Sequence, residues 1–255
     1  MADFILFAGR FRLGDALAAV TELAGAEPAP SAPFGAPPTV TAAWGAAWCY
    51  GNRLEIARSS NHPAADPEFR KLGDIRTDMA MFYVAAQDRP GPREMLPFIR
   101  READRQWAFC HAGNLQHPER IPTGGRIVDG RNPSERLFLH VLSGLDPEDP
   151  LPSVESALDL LPGEPDLNFL LLSADMLVAS CRYTPPEAGP AASDDVPPAP
   201  DLIPPLPERP MPGLWFGTGE SVRIISTRQV STADVAWDAM ANGSVFTISR
   251  KRWEL

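Results

Sequence analysis

Apolar residues recur along this chain with two different periods, and the alternation between them predicts paired strands separated by helices. Residues 4–8, Phe-Ile-Leu-Phe-Ala, form a continuous apolar run of strand length, as a strand buried on both faces would. Leu13, Ala16, Leu17, Val20 and Leu23 then recur at helical spacing, with Gly25 as the stop. Residues 41–50, a Gly51-Asn52 turn and residues 53–58 read as a β-hairpin, and 66–75 as a helix. Residues 79–86 and 106–111 are apolar runs of strand length, with a loop around Pro90 and Pro92 between them. Ser134 is placed to cap a helix over 134–145, whose Leu137, Phe138, Val141, Leu142 and Leu145 share one face. A shorter helix follows at 154–161, then a hairpin of 167–172 with 176–183. Residues 214–216, 222–226 and 244–248 read as strands, with 232–241 as a turn or short helix.

Hairpins separated by helices predict an α+β fold, an αββα sandwich of stacked, largely antiparallel sheets covered by helices. A doubly wound parallel sheet would need strands and helices in strict alternation. Two stretches break the pattern. Residues 26–38 are mostly Ala, Pro and Ser and read as a loop, because proline removes a ladder donor and fixes φ. Residues 184–212 hold eleven prolines with Asp194, Asp195 and Asp201, a composition suited to an extended loop or arm. The whole of 1–255 is expected to form one domain carrying that arm.

Composition narrows the function classes. With 255 residues, 44% of them apolar, the chain can bury a large core. Its net charge of -10 repels phosphate backbones and anionic headgroups, which argues against nucleic acid or membrane as partner. Arg100, Arg101 and Arg105 cluster in sequence and read as a solvated helix face. Cys49, Cys110 and Cys181 are odd in number and far apart, so neither a disulfide framework nor a zinc site is expected, and a reducing cytoplasm fits. His62, His111, His117 and His140 are scattered and expected at surface or capping positions, so no metal is expected. The glycines at 123–125 and 217–219 are turn signals, because neither group joins a strand to a helix, and no nucleotide or other cofactor is called for.

Two motifs carry a resemblance. Ala43-Trp44-Gly45-Ala46-Ala47-Trp48 precedes the first hairpin turn, and Ala108-Phe109-Cys110-His111-Ala112-Gly113-Asn114-Leu115 closes a later strand. In order and spacing they resemble the H-x-D-G-W-G-x-x-W and A-F-x-H-N-G-x-L blocks of the class II glutamine amidotransferases. The small stand-alone subgroup that includes the ergothioneine-pathway amidohydrolase is the nearest in pattern. Asn132-Pro133-Ser134-Glu135 resembles the family's T-D-S-E, Leu167-Asn168-Phe169 its L-N-F strand, and Asn242-Gly243-Ser244-Val245 its closing P-x-G-S-L. The resemblance implies the N-terminal-nucleophile fold of two antiparallel sheets between helix layers, in agreement with the pattern above.

It also implies a chemistry whose residues are missing. In the family a cysteine at the chain start attacks the amide of glutamine and its α-amino group relays the proton. Here Ala2 and Asp3 follow Met1. The arginine expected to hold the substrate carboxylate falls on Ala85, after Tyr83 and Val84. The His, Asp and first Gly of the tryptophan block fall on Val40, Ala42 and Ala43. Ala112 stands where an asparagine would donate to the tetrahedral oxygen, leaving Gly113, a loss worth about 2.7–4 kcal/mol. The aspartate for the substrate ammonium falls on Pro133, or on Asn132 if the loop shifts by one.

The sequence therefore predicts a non-catalytic relative that binds a protein partner or a small amide-like ligand. Ala2, Ala85, Ala112, Gly113 and Pro133 are its vestigial site positions, and Trp44, Gly45, Tyr83, His111, Gly113 and Asn114 its candidate ligand contacts. The rival is an active amide hydrolase with a relocated nucleophile, such as Cys110 beside His111, or a site completed by a partner subunit. Adjacent strand residues face opposite sides of a sheet, which weighs against that pair.

Overall fold

The computed structural model describes residues 2–25, 42–86, 91, 94–102, 104–184, 213–232 and 234–250. The predicted loop at 26–38 and, from residue 185 on, the proline-rich stretch lie outside the described residues.

Twelve strands and four α-helices are arranged in four layers among the described residues. The strands are β1 (Ala2–Gly9), β2 (Ala42–Tyr50), β3 (Arg53–Ser59), β4 (Met79–Ala86), β5 (Phe98–Glu102), β6 (Arg105–Ala112), β7 (Asn168–Leu172), β8 (Met176–Cys181), β9 (Trp215–Thr218), β10 (Val222–Ser226), β11 (Ala236–Ala239) and β12 (Ser244–Ser249). The helices are α1 (Leu13–Ala24), α2 (Pro67–Lys71), α3 (Ser134–Gly144) and α4 (Pro150–Asp159). One sheet has the order β11-β9-β10-β1-β4-β2-β3 and the other β12-β8-β7-β6-β5. All pairings between named strands are antiparallel.

The layers follow from side-chain alternation. In β1, Phe4, Leu6 and Ala8 enter the core between the sheets, while Ile5 and Phe7 pack with Leu13, Ala16 and Val20 of α1 on the outer face. Helix α1 forms because that apolar stripe has a core to meet, and Gly25 ends it at φ 76°. On the other side of the molecule Phe109 of β6 stacks on Phe138 of α3, ring centroids 5.0 Å apart and planes 12° apart, and leans on Phe169.

Four expectations are corrected. Arg100, Arg101 and Arg105 lie on strands β5 and β6, not on a helix, and Arg100 pairs with Asp129 and the buried Glu135. Residues 232–241 contain strand β11, not a helix: it sits at the sheet edge, where four residues suffice because only one neighbour must be met. Ser134 does not cap α3. Pro133 is the N-cap, and Ser134 is the first helical residue, with its hydroxyl engaged by His111. His62, His111 and His140 are buried, where surface or capping positions were expected.

Candidate ligand cleft between the sheets

The register of the first sheet decides which side chains share the space between the layers. Ala2 pairs with Ala85 and Ala85 with Ala43, so the inward row at this end of the sheet consists of three methyl groups. One row deeper, Phe4 pairs with Tyr83, Tyr83 with Gly45 and Gly45 with Arg58. Beyond it come Leu6, Met81, Ala47 and Ile56. Cys110 faces this surface from β6, near enough to Arg58 and to Tyr83 to affect the ionisation of each. Ala112 is the next residue on that face of β6.

A segment of the chain itself crosses this space. A Cβ built on Gly45 would lie 1.9 Å from the Leu96 carbonyl oxygen and 2.7 Å from Pro97 Cδ, so only a residue without a side chain lets the segment pass so close. Arg58 holds it there: Nε donates to the Pro97 carbonyl at 3.0 Å and Nη2 donates to the same oxygen. Asn132 ties the other end, donating to the Glu94 carbonyl at 2.8 Å while accepting from the Ser134 amide at 3.0 Å.

The polar groups left in the cleft are few. Tyr83 is 6% exposed, and burial raises its hydroxyl pKa, with Cys110 and Asp3 adding to the rise. Arg58 has no carboxylate partner among the described residues; burial pulls its pKa down, while Cys110 opposes that. Cys110 is fully buried, and burial drives its thiol well above the usual value despite Arg58. The alternation expected in β6 is present: Cys110 faces the other sheet and His111 the helix layer.

His111 accordingly belongs to a second cluster. Its Nε2 lies 2.9 Å from the Asp166 carbonyl, which only accepts, so Nε2 carries the proton. Nδ1, 2.9 Å from the Ser134 hydroxyl, then accepts from it. Burial lowers the His111 pKa against the opposing pull of Asp166, so the ring stays neutral. Gly113 sits at φ 147°, and a Cβ there would meet the Asp166 Cβ at 2.3 Å. The Asp166 carboxylate accepts from the exposed Asn114 amide at 3.1 Å, and exposed Pro133 is the N-cap of the adjoining helix. These contacts join strand to loop to helix.

Trp44 lies in a third place. It is 1% exposed on the outer face of the first sheet, donates from Nε1 to Asp66 Oδ2 at 3.0 Å and packs edge-on to Phe69 at 5.0 Å. Asp66 also accepts from the Glu68 amide at the start of α2. Of the residues singled out from sequence, the structure thus groups Ala2, Gly45, Tyr83 and Ala85 on the inward face of the first sheet, and His111, Gly113 and Asn114 around Asp166, with Pro133 at the N-cap of α3. Arg58 was overlooked, although Leu54, Ile56 and Arg58 alternate and carry it inward.

No family model and no curated protein sequence matches the chain. Solved structures do. A glutamine aminotransferase class-II domain protein from Silicibacter pomeroyi superposes with a TM-score of 0.57 at 15% identity, over 96% of this chain and 94% of that one. A predicted glutamine amidotransferase from Pseudomonas aeruginosa gives 0.55 at 16% identity, over 98% and 94%. Glutamine phosphoribosylpyrophosphate amidotransferase from B. subtilis gives 0.64 at 12% identity, over 98% of this chain and 48% of that one. The chain therefore has the fold of the class II glutamine amidotransferases, the N-terminal-nucleophile hydrolase sandwich. No helix among the described residues is long and apolar enough to cross a membrane.

Proposed function

We propose that this protein is a non-catalytic member of that fold, acting by binding a protein partner or a small ligand and not by hydrolysing glutamine. The observation that carries the reading is the methyl row Ala2-Ala85-Ala43 at the end of the cleft, with Ala112 on the facing strand. Acyl transfer needs a nucleophile, a proton acceptor and a donor to the developing oxyanion. A methyl group supplies none of the three. The Leu96–Pro97 crossing supports the same reading, because it fills the space directly in front of Gly45.

A relocated Cys110 nucleophile draws no support from its surroundings. Its thiol is inaccessible and held protonated, and the neighbouring imidazole is engaged on the opposite face of the strand. A cytoplasmic setting is supported by three free cysteines, and a partner other than nucleic acid by the net charge of -10. The test is ammonia and glutamate release from glutamine and several γ-glutamyl amides by purified protein. We expect none above a boiled control; turnover that vanishes in Cys110→Ala sinks the reading.

A further inference from the structure

An open hollow lies at the far end of β1 from the methyl row, roughly 23 Å along the strand that runs from Ala2 to Gly9. Its volume is about 720 Å³, the size of a small-molecule site, and it opens between the turn joining β1 to α1 and the stretch leading into β4. Arg10 and Arg12 line it from the first segment and Arg76 from the second. Three acids line it too. Asp78 is taken by Arg250, whose Nε donates to both of its oxygens at 2.8 Å, and Asp15 sits in the first turn of α1, where an acid complements the helix dipole. Asp74 is the third.

Arg12 and Arg76 set the chemistry of the hollow. Both are exposed, and among the described residues neither guanidinium has an ion pair or a side-chain hydrogen bond. Elsewhere in the chain Arg100, Arg126, Arg228 and Arg250 are each tied to a carboxylate. The backbone beside Arg12 adds donors: Arg12 is the N-cap of α1 and makes no side-chain cap, so the Leu13 and Gly14 amides receive no acceptor from it. A Cβ on Gly14 would meet nothing within 4 Å, so the space above that turn is open. Phe11, 5.4 Å from the ring of Phe7, and half-buried Ile75 give the hollow an apolar wall.

We infer that this hollow binds a phosphate monoester, its phosphoryl oxygens accepting from Arg12 and Arg76 and its organic body lying against Phe11 and Ile75. The phosphate follows from the donors. Guanidinium groups that reach in from two segments call for an acceptor with oxygens in more than one direction, which a phosphoryl group has and a planar carboxylate lacks. The ester follows from the volume, since about 720 Å³ is far more than an inorganic phosphate fills. The inference stands apart from the loss of glutaminase chemistry, because the hollow and the methyl row share no residue.

The experiment is titration calorimetry of the full-length protein with phenyl phosphate, benzoate and phenol. Phenyl phosphate is expected to bind saturably at one site, benzoate roughly tenfold more weakly or worse, and phenol not at all. Arg12→Gln and Arg76→Gln break no side-chain contact of the described fold, and each is expected to weaken phenyl phosphate roughly tenfold, the loss of one charge-assisted hydrogen bond. Arg53→Gln is the control for general attraction of an anion: its guanidinium pairs with Glu55 outside the hollow, and its loss should leave the affinity unchanged. No saturable binding, equal binding of benzoate or phenol, or an unchanged affinity in both Arg12→Gln and Arg76→Gln overturns the proposal. So does an Arg53→Gln variant that loses as much as they do, which would mean charge attraction without a site.

Discussion

Gly45 is the point at which the cleft and the fold depend on the same atoms, and Gly45→Ala adds a single methyl there. The new Cβ would lie 1.9 Å from the Leu96 carbonyl oxygen and 2.9 Å from the Leu96 carbonyl carbon, where ordinary contact begins at 3.4 Å. The crossing segment must then retreat by about 1.5 Å, because the obstacle is backbone on both sides and cannot rotate away. Overpacking of this kind costs about 1–3 kcal/mol. Retreat also carries the Pro97 carbonyl away from Arg58, and a hydrogen bond to a charged group contributes about 1.5–3 kcal/mol, less here because the guanidinium is only partly buried.

We therefore expect Gly45→Ala to lose about 2–5 kcal/mol in urea denaturation, and to melt roughly 4–20 °C lower, given about 2–4 °C per kcal/mol in a domain of this size. Gly14→Ala is the control: it lies in α1 with no atom within 4 Å of its Cβ, and should be neutral or slightly stabilising. A double-mutant cycle with Arg58→Gln separates the two contributions. If the methyl group already breaks the Arg58 bonds, the second substitution costs less in the Gly45→Ala background, with a coupling of about 0.5–3 kcal/mol. Loss below about 0.5 kcal/mol, or strict additivity, refutes the argument that Gly45 exists for the Leu96–Pro97 crossing.

Three further outcomes can be checked. His111 is buried and neutral with a lowered pKa, so the stability it contributes is present above its unfolded value near 6.5 and is lost as pH falls towards the folded value. His111→Gln should flatten that slope, at most about 1.4 kcal/mol per pH unit, in urea midpoints between pH 7 and pH 5, and an unaltered slope contradicts the assignment. Trp44→Phe removes the indole donor to Asp66 and should cost about 1–2 kcal/mol by urea unfolding. Burial alone would raise the Asp66 pKa, but bonds from Ser59, the Glu68 amide, Trp44 and Asn61 lower it overall, so the variant should also soften the loss of stability as pH falls below about 4. Cys49, Cys110 and Cys181 are buried, with thiols raised by burial and Cys49 pushed up to about 12, so none should react with a disulfide reagent at pH 8 within minutes unless denaturant is added. A fast thiol that disappears in Cys110→Ala would reopen the nucleophile reading.

Much of the layering is legible from periodicity, because the same alternation that predicts a strand also says which face each residue serves. The hairpin of β2 and β3, the pair β7 and β8 and helix α1 each keep one apolar face in a core, and that face is what the sequence displays. Strand β5 escaped notice because Arg100, Arg101 and Glu102 follow its buried Phe98: the strand lies at a sheet edge where charged side chains reach solvent or cross to Asp129, Glu135 and Arg126. Strand β11 escaped for a related reason, since Ala236-Trp237-Asp238-Ala239 is too short and too exposed to alternate visibly. Motif position misled in a different way at Trp44: it follows the inward Ala43, so strand parity turns it outwards to Asp66 whatever its place in a motif. The Ser134 hydroxyl was assigned to a cap because capping is a local rule, whereas His111 reaches it from a strand 23 residues away.

The same contrast bears on why such a fold can lose a reaction and persist. The contacts that join its layers, Phe109 on Phe138, Trp44 to Asp66 and His111 between Ser134 and Asp166, do not pass through the methyl row of the cleft. An alanine at a strand position keeps the ladder and leaves no polar group to satisfy, so Ala2, Ala43 and Ala85 ask little of the structure around them.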